Sequence, residues 1–139
     1  MTVGTTQEQS AIPASHADLL ESTALAHVAT VGPTGEPQVN PVWFGVQDGR
    51  ILFSQTKTRQ KVRNLQREPR IALSIVDPEN PYRYLEVRGV VERVDEDPHD
   101  DFIDSMAKKY LGADRYPWHR EGDERVVVVV RPQHTTRMG

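Results

Sequence analysis

A basic segment in the middle of the chain has the residue types and spacing of an anion-binding site. Across residues 57–70, six of the fourteen side chains are Lys or Arg and only Glu68 is acidic, although the whole chain has a formal net charge of −3. Apolar runs at residues 51–53 and 71–76 flank this segment. A basic turn and short helix between two strands can bind an anion, because the N–H groups at a helix start point outward and Lys and Arg donate charge-assisted hydrogen bonds.

A helical wheel divides the basic segment into an inward and an outward side. With Thr58 as the predicted N-cap, Val62 and Leu65 form the packed stripe at about 100° per residue. Lys61 falls beside that stripe and is the basic residue best placed to reach inward, with Arg59 next to it at the helix start. The wheel therefore predicts that Lys61 and Arg59 bind the anion.

The other basic side chains of the segment are predicted to point outward. Arg63 and Arg67 fall on the opposite stripe, where they face solvent or a partner chain. For Arg67 and Arg70 the favoured interpretation is a solvated surface charge. The alternative for the whole segment is that its charges do no more than solvate a surface helix.

Length and composition restrict the class of protein. The chain of 139 residues is predicted to form a single domain at residues 13–139, after a flexible N-terminal tail at residues 1–12. It has no Cys, no apolar run near the ~18 residues of a membrane helix, and no signal-peptide pattern. The pI near 5.9 argues against general nucleic-acid binding. These features predict a cytoplasmic protein with neither a membrane nor a nucleic-acid partner.

Apolar periodicity and turn-forming residues predict about six strands and three helices. Most of the strands follow one another as hairpins, which favours a mainly β, antiparallel barrel with flanking helices over a βαβ nucleotide-binding fold. The helices are predicted near residues 15–21, after Thr58, and across residues 97–111. The strands are predicted at residues 25–31, 38–46, 50–55, 70–76, 82–94 and 126–130.

Local signals refine these strands. Pro41 cannot donate to a ladder, so it predicts an edge strand or a bulge, and Asp48-Gly49 predicts a tight hairpin. Gly89, in the middle of a long strand, predicts a bulge or a close backbone approach. The five consecutive valines at residues 126–130 predict a strand that is buried on both faces.

Several short segments occur in the order and spacing of a known family. These segments are Gly32-x-x-Gly35-x-Pro37, NPVWF at 40–44, ILFS at 51–54, KTRQKVRNL at 57–65, REPRIAL at 67–73 and EVRG at 86–89. With them the chain resembles the pyridoxamine 5′-phosphate oxidase-like split β-barrel family, and more closely its actinobacterial F420-dependent oxidoreductase branch. The resemblance spans about residues 19–132, and the order of the segments carries it rather than any single one.

The resemblance implies an antiparallel, FMN-binding-like split β-barrel that forms a homodimer with two cofactor sites at the subunit interface. It places the cofactor phosphate at the basic segment and the flavin-like ring along the second and third strands, with a late aromatic loop of the other subunit closing the site. The implied phosphate-binding residues are Arg59 and Lys61, with Thr56, Lys57 and Thr58 beside them. The implied ring-binding residues are Asn40, Pro41, Val42, Trp43 and Ser54, and those of the closing loop are Tyr116 and Trp118.

Two cofactors remain open in this resemblance, F420 and FMN. Pyridoxamine 5′-phosphate oxidases use FMN and carry a C-terminal segment with Arg and Trp that grips their pyridoxal phosphate substrate. This chain ends at Gly139, soon after its last predicted strand, with no counterpart of that segment. The dense basic segment, with Lys57 and Arg63 added, suits the several negative charges of F420. F420 is therefore the expected cofactor and FMN is the alternative.

The expected reaction is hydride transfer between F420 and a small unsaturated or conjugated organic acceptor, for which the cofactor supplies the chemistry. No catalytic base is required, and the sequence shows no Ser-His-Asp order, no suggestive carboxylate pair and no metal-binding cluster. His119, next to Trp118, is the one histidine considered as a proton donor. The alternatives are an FMN-dependent oxidase or reductase, a non-enzymatic flavin or haem carrier, and a structural dimer with an empty anion site.

Overall fold

The computed structural model describes residues 11–139. Residues 1–10 of the predicted tail lie outside the described residues, while Ile12 packs against the core. In residues 11–139 no helix is long and apolar enough to span a membrane. The elements are, in chain order, a 3-10 turn (Ala14–His16), α1 (Asp18–Glu21), β1 (Ala26–Val31), β2 (Pro37–Val42), β3 (Gly45–Gln47), β4 (Arg50–Thr56), α2 (Gln60–Arg67), β5 (Arg70–Asp77), β6 (Asn80–Glu96), α3 (Asp101–Leu111) and β7 (Arg125–Met138).

The strands form one seven-stranded antiparallel sheet in the order β2-β1-β5-β6-β7-β4-β3. This sheet curls around one core, since every strand except β3 contributes apolar side chains to a single buried cluster. The mainly β, antiparallel barrel with flanking helices that the sequence predicts is therefore confirmed.

The valine run of β7 is buried on both faces, as predicted. Val128 and Val130 belong to the central core of the barrel. Val127 and Val129 point to the other face, where they cluster with Leu52. Phe102 of α3 packs against this second cluster, so β7 is covered by the core on one side and by a helix on the other.

Two predicted backbone features are confirmed. Asp48 and Gly49 both have positive φ angles, 52° and 75°, which a tight β3–β4 hairpin with the right-handed twist requires. Gly89 lies at a register shift of the β6–β7 ladder, and a Cβ atom there would overlap the carbonyl oxygen of Arg131. Because Pro132 sits opposite Gly89 at this irregularity, β7 continues past the proline instead of ending at it.

The single strand predicted at residues 38–46 is wrong, because the chain forms two strands there. β2 pairs with β1 at one edge of the sheet, and β3 pairs with β4 at the other edge. Between them Trp43 and Phe44 carry the chain across the barrel, and Phe44 is fully buried in the core. Pro41 lies in the edge strand β2, as its missing N–H predicts.

The predicted start of the helix across residues 97–111 is also wrong, because α3 begins at Asp101. Asp97 is buried, and its Oδ2 accepts a hydrogen bond from the backbone N–H of Phe102 at 3.2 Å. Asp100, the N-cap residue, has a left-handed conformation with φ of 59°. Asp97 therefore anchors the turn before the helix rather than starting it.

Candidate functional site

A cleft of about 720 Å³ opens at one side of the barrel. It lies where the start of α2 meets the end of β4 and the crossing from β2 to β3. The loop after α3 and the first residue of β7 complete its wall. The cleft thus joins segments that are far apart in the sequence.

One end of the cleft is formed by the start of α2. The N-cap residue is Arg59, with φ of −64° and ψ of 144°, and its side chain does not cap the first N–H groups. The prediction of Thr58 as N-cap is therefore wrong by one residue. Arg59 Nε donates to Thr56 Oγ1 at 3.3 Å, which ties this guanidinium to the end of β4. The uncapped N–H groups remain available to an anion or to water.

Lys61 reaches inward into this end of the cleft, as the helical wheel predicts. Lys61 is only 5% exposed. Burial, as the larger cause, and repulsion by Arg59, as the smaller, together lower the pKa of Lys61 to about 8. Within residues 11–139 no carboxylate forms an ion pair with it. A buried ammonium without a counter-ion is unfavourable, so a bound anion would compensate directly for its desolvation.

A buried amide fixes the orientation of α2. Asn64 is 1% exposed, and its Nδ2 donates to Thr30 Oγ1 at 3.0 Å and to Gln38 Oε1 at 3.3 Å. Its Oδ1 accepts from Gln60 Nε2 at 2.8 Å. The bonds to Thr30 and Gln38 hold α2, the helix that carries Lys61, against β1 and β2.

The other end of the cleft is an aromatic corner made of Trp43, Tyr116 and Trp118 and backed by Tyr110. Trp43 stacks on Tyr110 with ring centres 5.2 Å apart and planes 6° apart. Tyr116 meets Trp43 edge-on at 5.9 Å, and Trp118 lies 6.0 Å from Trp43. Trp118 is 59% exposed and forms the rim. Such a corner can pack against a planar ring.

Helix α3 positions the aromatic corner. The hydroxyl of Tyr110 donates to the carbonyl of Ala24 at 2.7 Å, and the backbone N–H of Tyr116 donates to Asp104 Oδ1 at 2.9 Å. The family resemblance implied that the other subunit supplies Tyr116 and Trp118. Both rings line the cleft of their own chain, and their contribution to the other subunit's site stays a prediction.

The cleft is cationic. Arg59, Lys61 and Arg125 line it, and no Asp or Glu of the described residues does. Arg125 is the first residue of β7 and sits opposite Thr56 of β4 in the ladder. Its guanidinium lies over the Tyr116 ring, 4.6 Å from the ring centre. The arrangement favours a ligand that has both negative charge and a planar ring.

The sequence profile of the family described as pyridoxamine 5′-phosphate oxidase matches residues 12–138. The chain belongs to the pyridoxamine 5′-phosphate oxidase family. The match includes every strand and helix of the structure, and the expected split β-barrel fold is thereby confirmed. No curated protein matches the chain.

Solved structures of similar fold cover most of this family member. An F420 reductase is 41% identical, with a TM-score of 0.81 over 90% of this chain and 98% of that chain. The conserved hypothetical protein Rv2991 from Mycobacterium tuberculosis is 25% identical, with a TM-score of 0.73 over 91% and 84% of the two chains. The General Stress Protein 26 from Bacillus anthracis str. Sterne is 15% identical, with a TM-score of 0.66 over 99% and 95%, and shares the fold alone.

Ten of the twelve residues predicted to bind the cofactor lie together in the cleft. Their cofactor-binding roles stay predictions. Lys57 and Thr58 are the two that do not line the cleft. The ten are Asn40, Pro41, Val42, Trp43, Ser54, Thr56, Arg59, Lys61, Tyr116 and Trp118.

Lys57 and His119 have partners outside the cleft. Lys57 Nζ lies 2.7 Å from Glu96 Oε1 and 3.4 Å from Glu124 Oε2, and the hydrogen bond to Glu96, then that to Glu124, raises the pKa of Lys57. His119 Nδ1 lies 3.3 Å from Asp100 Oδ2. Residues 11–139 contain no cluster of three or more His, Cys, Asp or Glu side chains that could hold a metal ion.

Sequence reasoning missed part of the cleft in this family member. The missed lining residues are Leu25, Gln38, Gln55, Gln60, Ile103 and Arg125. Gln60 lay inside the segment already singled out, so its polar side chain at the helix start was a usable signal. Arg125 had no such local signal, because only the pairing of β7 with β4 brings it to the cleft.

Proposed function

We propose that this member of the pyridoxamine 5′-phosphate oxidase family is an F420-dependent oxidoreductase. The observation that carries the proposal is the cleft itself, in which a basic end and an aromatic corner lie in one volume of about 720 Å³. The F420 reductase that is 41% identical over 90% of this chain supports the choice of cofactor.

The two ends of the cleft match the two parts of this cofactor. Arg59, Lys61 and the uncapped N–H groups of α2 would hold the phosphodiester, because they combine positive charge with outward-pointing donors. The deazaflavin ring would lie against Trp43, between β2 and β4. Tyr116 and Trp118 would cover the ring and exclude water from it, which strengthens electrostatic contacts inside the site.

The reduced deazaflavin supplies a hydride, and an unsaturated or conjugated small molecule accepts it together with a proton from water. The part of the chain is to hold the ring and leave one of its faces open to the acceptor at about 3–3.5 Å. The rim at Trp118, which is 59% exposed, is the side from which an acceptor can enter. No side chain is required as a base in this scheme.

The test is a pair of titrations of the purified protein with F420 and with FMN, followed by fluorescence. Dissociation constants in the micromolar range or below for F420, with weaker FMN binding, would support the proposal. The protein loaded with reduced F420 is then mixed with cyclohex-2-enone as an unsaturated probe, and reoxidation of the cofactor is recorded. Tight F420 binding without reoxidation by this or other unsaturated acceptors would favour a cofactor carrier instead.

An FMN-dependent oxidase or reductase is the second candidate, and membership of the pyridoxamine 5′-phosphate oxidase family is the observation that favours it. The basic end of the cleft suits the single phosphate of FMN as well as it suits a phosphodiester. Preference for FMN in the two titrations would keep the cleft as the cofactor site and move the chemistry to the flavin.

We also propose that the protein is a homodimer with its cofactor sites near the subunit interface. The exposed edge strand β2, with Val39 61% exposed, lies beside the cleft and offers unpaired backbone groups that a second chain can cover. Size-exclusion chromatography with light scattering tests this, because a mass of about 31 kDa, twice the 15.7 kDa of one chain, is expected. A monomeric mass would contradict it.

A further inference from the structure

Arg125 is a nearly buried guanidinium whose donors are only partly used. The residue is 9% exposed, and its Nη1 donates to Ser54 Oγ at 3.2 Å. Its Nε is buried and has no hydrogen-bond partner among residues 11–139. Arg carries five N–H donors and stays charged at all ordinary pH values. A buried cation left with unused donors, in the wall of a cleft, is suited to an oxygen atom of whatever the cleft binds.

Arg125 lies between the two ends of the cleft. Arg59 contacts Thr56, whereas Arg125 contacts Ser54, two residues back along β4 and about 6.6 Å further along the same face. On its other side the Arg125 guanidinium lies over the ring of Tyr116, which belongs to the aromatic corner. This position is beyond the phosphate end and next to the space that the ring would occupy.

We propose that Arg125 binds a carbonyl oxygen on the edge of the planar cofactor ring, and so selects a ring that carries such an edge. The inference rests on the proposed function. A guanidinium is planar and presents its N–H groups along its own plane, where they match a planar carbonyl edge. Because Arg125 is nearly buried, it meets the molecule that binds deepest, not an acceptor that arrives later at the exposed rim.

The test compares F420 with its phosphate-free deazariboflavin chromophore, each titrated into the full-length protein by fluorescence. Arg125→Gln is expected to weaken the binding of both by a similar factor, about 10- to 100-fold. Lys61→Gln is expected to weaken F420 by a comparable factor while leaving the chromophore within about twofold of wild type. Arg131→Gln is the matched control, since Arg131 lies on the same strand outside the cleft lining and should change neither affinity.

Each outcome decides one statement. If Arg125→Gln loses affinity for F420 alone, Arg125 belongs with the phosphate ligands and the inference is overturned. Unchanged affinities of Arg125→Gln for both compounds would also overturn it. So would a chromophore that does not bind the wild-type protein at millimolar concentration. If the wild-type protein binds neither F420 nor FMN, the proposed function itself is refuted, before any variant is made. If circular dichroism shows Arg125→Gln to be unfolded, Arg125→Lys replaces it. That variant keeps the charge without the planar fork; weaker chromophore binding supports the inference, and wild-type binding overturns it.

Discussion

Arg59 and Lys61 lie close together at the start of α2 as two like charges, and no carboxylate of residues 11–139 lines the cleft beside them. Burial lowers the pKa of Lys61 to about 8, and the charge of Arg59 adds to this effect. Both residues line the cleft. Without a ligand, the desolvation of Lys61 and its repulsion by Arg59 are therefore uncompensated. An anion placed beside both residues would offset the two effects together.

Lys61 and Lys57 form a matched pair for testing which basic residues bind the cofactor. Lys61→Ala is expected to weaken F420 binding by ~1.5–3 kcal/mol, the size of a charge-assisted contact. Lys57→Ala should leave the affinity within about twofold, because Lys57 pairs with Glu96 and Glu124 outside the cleft. Fluorescence titration measures both. Equal losses of F420 affinity in the two variants would mean that the overall positive charge of the segment, and not one contact, attracts the cofactor.

Cofactor binding should depend on pH through Lys61. The free protein loses the Lys61 proton above pH of about 8, and a bound anion favours the charged form, so affinity should fall as pH rises above that value. The fall can reach about tenfold per pH unit while the complex keeps the proton. Lys61→Arg keeps its charge and should give a flat profile between pH 7 and pH 9.5. A flat wild-type profile over that range would separate Lys61 from the anion.

The stability of the ligand-free protein should change with pH in the opposite sense. Between pH 8 and 10.5 the unfolded chain still binds the Lys61 proton that the folded chain has released, so the free energy of unfolding should rise with pH there. Full deprotonation of Lys61 in the folded chain corresponds to an increase of about 3 kcal/mol in the free energy of unfolding. Lys61→Met is expected to be more stable than wild type at pH 7, and this advantage should shrink towards pH 10.5. Urea unfolding at several pH values measures these stabilities. Lys57→Met is the control, because its difference in stability from wild type should stay constant between pH 8 and pH 10.

The rim tryptophan should affect binding much more than folding. Trp118 is 59% exposed but packs on Trp43 and Tyr116 at the cleft, so Trp118→Ala should lower the free energy of unfolding by about 1 kcal/mol or less. It should weaken cofactor binding by ~1–3 kcal/mol through lost stacking. Tyr82→Ala, at a residue that is 77% exposed and away from the cleft, is the control for loss of a surface ring. Equal effects of the two variants on affinity would exclude Trp118 from the site.

The features that depend on neighbours in sequence were predictable. Lys61 points inward because Val62 and Leu65 beside it are buried, which a helical wheel shows without coordinates. The Asp48-Gly49 hairpin and the bulge at Gly89 likewise follow from local backbone preferences. Each of these predictions uses only residues within about one turn or one strand.

The features that depend on long-range packing were not predictable in the same way. A continuous strand at residues 38–46 fails because Phe44 enters the core of the barrel, which its own segment does not reveal. Arg125 contacts Ser54, which is 71 residues away in sequence, so its role in the cleft depends on the pairing of β7 with β4. The N-cap shifted from Thr58 to Arg59 because β4 continues through Thr56, one residue beyond its predicted end, and the turn moves with it.

The buried amide of Asn64 links the fold to the cleft and gives the last prediction. Asn64→Ala should lower the free energy of unfolding by about 1–3 kcal/mol, because it leaves the buried Thr30 hydroxyl and the Gln60 amide without their partner.

Thr30→Val keeps the shape of the side chain but removes the oxygen that accepts the hydrogen bond from Asn64 at 3.0 Å. In a double-mutant cycle, Asn64→Ala and Thr30→Val should be coupled by about 0.5–2 kcal/mol in the free energy of unfolding. Since Asn64 also holds the helix that carries Lys61, Asn64→Ala should weaken F420 binding even where the variant is fully folded. Unchanged affinity in folded protein would show that α2 keeps its orientation without this amide.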